Sequence, residues 1–153
     1  MNPCGDSTVK RIVRLLNGDI VREFYMADAC LREATYLSRE YHPAIRRQIA
    51  VCAAAALRNA TALAAEVLAL GGMPIAPRRP KQESLPEPKT TSLSPGSARR
   101  MLAHYRRRLR MAERLGLQQL REVFREIVAT RERHLAHWGL IPVREPASRF
   151  ILS

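Results

Sequence analysis

The chain has 153 residues, and 26 Lys and Arg against 14 Asp and Glu give it a formal net charge of +12. That length suits one domain able to bury a core without disulfides or metal. Abundant Ala, Leu and Arg, with few Gly and few aromatics, argue for a helical bundle and against a sheet.

Residues 1–6 read as a flexible N-terminus, because Asp6, Ser7 and Thr8 are N-cap types and predict a first helix after them, running to about Tyr41. Its inward stripe is Ile12, Leu16, Ile20, Glu23, Ala27, Cys30, Ala34 and Leu37. Glu23 alone breaks that stripe, and a buried carboxylate is costly unless it is paired. The second helix opens at "HPAIRRQ", with Pro43 in its first turn, and presents Ile49, Cys52, Ala56, Asn59, Leu63, Val67 and Leu70 inward. "LGGMP" stops it. Its apolar run "AVCAAAALRNATALAAEVLAL" is interrupted by Arg58, Asn59 and Glu66, so it reads as a buried soluble helix and not a membrane span.

Residues 73–97 are rich in Pro, Ser and Thr and lack periodicity, which makes them a crossover linker long enough to span a bundle. A third helix is expected from Ser94 or Ser97, with Pro95 at its first position, to Leu115–Gly116; its stripe is Met101, Leu102, Tyr105, Leu109 and Ala112. The fourth runs from Leu117 to about Trp138, closed by Gly139 and Pro142, with Leu120, Phe124, Ile127, Arg131, His134 and Trp138 inward. Residues 141–153 form a tail too short and interrupted for a fifth helix.

This order of elements resembles the ferritin-like superfamily, bacterioferritins above all, over roughly residues 12 to 140. "LNGDIVREFYMADACLREATYL" is similar to the stretch carrying that family's first metal-ligating Glu. "EVLALGGMP" is similar to the end of its second helix, and "AHYRRRLRMAERLGLQQLREVFREIVATRERHLAHW" to its second hairpin. The resemblance implies a four-helix bundle of two hairpins. It also implies a dinuclear centre built from one Glu on each of two helices and Glu-x-x-His on each of the others. Carried over, the first Glu falls on Glu23. The second-helix Glu and His fall on Ala56 and Asn59, the third-helix Glu near Ala98, and the last Glu-x-x-His on Arg131 and His134. The haem-binding Met falls on Leu57, so no haem is expected. Hard metal ions need several anionic oxygens, and a guanidinium beside them adds repulsion. The expectation is therefore a remnant polar network of Glu23, Asn59, Arg131 and His134, with Arg131 pairing Glu23.

Other chemistry is thin. His42, His104, His134 and His137 are the only histidines; no Ser/His/Asp order and no phosphate-cradling glycine loop is readable. Cys4, Cys30 and Cys52 have no CxxC spacing and read as reduced thiols of a cytoplasmic protein. "MNPCGDSTVK" holds no signal-peptide core. In "ARRMLAHYRRRLRMAERL", Arg99, Arg106, Arg107, Arg110 and Arg114 project away from the apolar stripe. They suit phosphates, a subunit contact or simple solvation.

The expected function is that of a non-catalytic, bacterioferritin-related protein without a ferroxidase centre. It would act through protein interactions, as a homodimer or on another partner. Two alternatives stand beside it. One is an iron or manganese protein using Glu23 and His134, helped by Glu126 or His137. The other is a module that binds nucleic acid without sequence preference.

Overall fold

A computed structural model describes residues 3–36, 43–76 and 95–140. The fold is all-α, with four helices and no strand among the described residues: α1 Pro3–Tyr36, α2 Pro43–Ala69, α3 Pro95–Arg114 and α4 Gln118–Leu140. The chain divides into two compact units, Met1–Glu83 and Ser84–Ser153. In the first α1 packs on α2, and in the second α3 packs on α4.

α1 begins at Pro3, so residues 3–6 are helical rather than a loose leader. Proline at the first helical position gives up an N–H that has no partner there, and its fixed φ suits the helix. Asp6 lies in that first turn, where the helix dipole favours an anion, and Lys10 Nζ donates to its Oδ2 at 2.8 Å. The expected stripe is buried through Cys30; Ala34 and Leu37 lie outside the described side chains. The buried surface is wider than the stripe, because Asn17 and Asp19 join it.

α2 buries Ile49, Cys52, Ala56, Asn59, Leu63 and Val67 as its spacing predicts, while Leu70 is half-buried. It ends in a left-handed cap. Gly71 has φ 80°, its N–H donates to the Leu68 carbonyl at 2.9 Å, and Gly72 N–H donates to Val67 at 2.9 Å. Gly72 then comes so close to α1 that an added Cβ would lie 2.7 Å from a Val13 methyl. Val13–Gly72 and Glu23–Asn59 together show α1 and α2 running antiparallel.

α3 starts at the expected proline and ends at Arg114 in the same type of cap. Gly116 has φ 66°, its N–H reaches Glu113 at 3.2 Å, and Leu117 N–H reaches Ala112 at 3.0 Å. The turn is tight, so α4 folds straight back. Tyr105 and Phe124 are fully buried, with ring centroids 6.1 Å apart. Leu102, Ala112, Leu120, Ile127 and Val128 complete this core. Gly139 does not close α4, which continues to Leu140; one glycine weakens a helix by about 1 kcal/mol and does not stop it.

Candidate functional site

The residues singled out by sequence separate into three places. In the first unit, Glu23 of α1 is 0 % exposed and Asn59 of α2 is 6 % exposed. The Asn59 amide Nδ2 donates to Glu23 Oε2 at 3.4 Å. Both sit midway along their helices because the stripes that carry them are otherwise apolar. Ala56, one turn before Asn59, is also fully buried and offers no donor atom.

Asp19 is a residue that sequence reasoning missed. It is 0 % exposed and lies one turn before Glu23, so α1 buries two carboxylates on one side. Arg22 Nε stands 3.9 Å from Asp19 Oδ1 while remaining half exposed. The signal was present: Ile12, Leu16, Asp19 and Glu23 follow steps of four, three and four. Asn17 was missed as well. Its Nδ2 donates to the Met73 carbonyl at 3.1 Å, and its Oδ1 accepts the Ile75 N–H at 3.0 Å. One side chain thus holds the chain just after α2 against α1.

In the second unit, Arg131 of α4 is 5 % exposed, and His134, three residues on, is half-buried. Thr130 is buried beside them; its Oγ1 donates to the Glu126 carbonyl at 2.9 Å and accepts from Arg133 at 3.3 Å. Glu126 itself faces solvent, with its side chain 75 % exposed and Arg133 4.0 Å away. It points off the inward stripe that carries Arg131 and His134. The His137 side chain and all of His42 lie outside the description. Among the described residues no three of His, Cys, Asp and Glu gather where one ion would bind. Cys30 and Cys52 are buried, and neither is in a disulfide.

The third place is the outer side of α3, where Arg99, Arg106, Arg107, Arg110 and Arg114 are all exposed, with Arg100 beside them. Arg106 pairs across to Glu132 of α4 at 3.0 Å.

α2 departs from expectation on its outer side. By length and composition, Arg46–Ala69 is the one helix among the described residues apolar enough to cross a membrane, yet less than half of it is buried. Opposite the stripe packed inward lie Ala50, Val51, Ala54, Leu57, Thr61, Ala65 and Leu68, with Arg47 and Arg58 among them, all exposed. Val51 is 46 %, Leu57 42 % and Leu68 59 % open to solvent. Compared with protein-family models, curated proteins and solved structures, the chain finds no match.

Proposed function

We propose that this is a non-catalytic, bacterioferritin-like helical protein that works by association, and that its first partner is a second copy of itself. The observation carrying this reading is the outer side of α2, where Val51, Leu57 and Leu68 stand open to solvent around Arg58. A helix that is hydrophobic all round is normally buried all round, so a long one with an open side has an interface to fill.

Self-pairing suits that side. If two copies of α2 met antiparallel about Asn59, Leu68 would oppose Ala50, Leu57 would oppose Thr61, and Ala54 would oppose Ala64. Leu57 and Leu68 would each meet a smaller residue, and the same patch would serve on both copies, as an isologous twofold contact requires. Arg47 would then lie beside the partner helix's C-terminal carbonyls, where a cation is favoured. Covering Val51, Leu57 and Leu68 contributes about 1–2 kcal/mol each by apolar area.

The donor set does not fit a dinuclear iron centre. The α2 positions that would supply carboxylate and imidazole hold Ala56 and Asn59, and Glu23 takes a hydrogen bond from that amide instead. Leu57 offers no sulfur to a haem. The proposed role of the buried polar residues is structural, with the Asn59 amide holding the Glu23 carboxylate inside the first unit. The competing reading, an iron or manganese protein, draws on Asp19 and Glu23 as two buried carboxylates one turn apart.

Sedimentation and metal analysis on one preparation separate the two readings. The expected result is a dimer with no stoichiometric iron or manganese, converted to a helical monomer by Leu57→Arg with Leu68→Arg. A wild-type monomer at tens of micromolar removes the self-association reading. Partition into lipid vesicles through the same residues would replace it. One metal ion per chain, lost on Glu23→Ala, would establish the metal reading.

A further inference from the structure

We infer that the outer side of α3 is a binding surface for the phosphate backbone of duplex nucleic acid, read by charge and not by sequence. Arg99, Arg106, Arg110 and Arg114 follow steps of seven, four and four, which keeps them on one side of a helix; Arg100 and Arg107 flank them. At about 1.5 Å rise per residue the row is about 22 Å long. Over that length a duplex carries on the order of a dozen phosphates.

All six side chains are exposed, and among the described residues Arg99, Arg107, Arg110 and Arg114 make no ion pair. Arg106 shares Glu132, but both partners are half exposed, and such a pair exchanges readily for another anion. Every cation of α3 is an arginine, whose planar fork binds phosphate through two parallel hydrogen bonds where lysine offers a point charge.

The same row disfavours other anionic partners. A lipid surface needs large apolar side chains beside the charges, and Leu115, beyond the last turn of α3, is the nearest such residue open to solvent. An acidic protein needs aromatic or aliphatic anchors, and Tyr105 is fully buried while Leu102 faces the core. α3 has no Asn or Gln to read adenine and no exposed aromatic to stack on an unpaired base. What remains is a row of guanidinium groups without anchors, which matches a regular polyanion.

The test uses the full chain and fluorescence anisotropy with labelled duplexes of about 20 base pairs, DNA and RNA in separate arms, across a salt series. Two unrelated sequences should bind within about threefold of each other, and four to five phosphate contacts should give a log–log salt slope of about −4. Arg106→Gln with Arg110→Gln should weaken binding about tenfold or more at low salt and flatten the slope by about two units. Arg11→Gln with Arg14→Gln, removing equal charge from exposed positions of α1, should leave the slope within about half a unit. Circular dichroism checks that each variant stays helical. If the double α3 variant loses helicity, Arg110→Gln alone should flatten the slope by about one unit. Whichever duplex binds tighter identifies the biological polymer. Equal loss in the α1 and α3 variants, no binding at low salt, or tighter binding to an acidic peptide or anionic vesicles would each overturn the inference.

Discussion

The Asn17 side chain closes a pair of hydrogen bonds with the backbone at Met73 and Ile75, satisfying a carbonyl and an N–H that no helix serves. Asn17→Ala leaves both groups without it, and a part-buried polar group so stranded costs about 1–3 kcal/mol. The expected outcome is a lower urea midpoint with unchanged slope, and faster hydrogen exchange at Ile75. Glu23 carries a different prediction. Asn59→Leu removes the amide whose hydrogen its Oε2 accepts and should cost about 1–3 kcal/mol. An unmoved melting curve for Asn59→Leu rules out a structural role for that bond. Glu66 sets a pH dependence, because burial raises its carboxyl above the usual range. A raised acid favours folding while protonated and loses that contribution as pH rises through its folded value. Glu66→Gln should therefore raise the melting temperature at neutral pH and give no gain at acid pH, a small effect because the group is largely exposed. At this scale the sequence showed Glu23, Asn59 and Arg131, since each interrupts an apolar stripe. Asp19 and Asn17 escaped because the broad buried side of α1 accommodates two overlapping stripes, and the one through Ile20 is the more apolar.

Helix boundaries followed from local chemistry where that chemistry was unambiguous. Pro95 opens α3, and Gly71 and Gly116 occupy left-handed positions that only a residue without Cβ fills at no cost. Gly116→Ala should cost about 1–2 kcal/mol through backbone strain alone. Gly72 acts by space, because its Cβ would meet Val13 at 2.7 and 2.9 Å and Val67 at 3.1 Å. Gly72→Ala is expected to cost about 1–3 kcal/mol by overpacking, and Val13→Ala should rescue part of it, which thermal melts of the single and double variants will show. In the second unit, Phe124→Ala should cost about 3–5 kcal/mol, since it empties space against Tyr105. The open side of α2 was hidden in the sequence by its alanines. When both sides of a helix are apolar, periodicity no longer says which is covered, and the whole helix reads as core.

The whole molecule was legible as an all-helical chain with a break between its second and third helices. Its function was not, because a polar residue that interrupts an apolar stripe can serve packing as readily as chemistry. Composition gave the excess of arginine, and the structure gave its arrangement, an exposed row on α3 beside a buried pair of aromatics. The two sides of α2 have a consequence for the newborn chain. A ribosome adds about 5–20 residues per second, whereas a helix forms within about a microsecond. α1 is therefore complete and waiting when α2 emerges, and the inner side is covered almost as soon as it exists. The outer side has no such companion among the described residues of the first unit. While open, it is the kind of surface that chaperones hold and aggregates recruit. If it pairs with a second copy as proposed, the soluble yield of this protein depends on how often nascent or newly released copies meet. A variant with Leu57→Arg and Leu68→Arg should escape that dependence and stay soluble at low expression without holdase help.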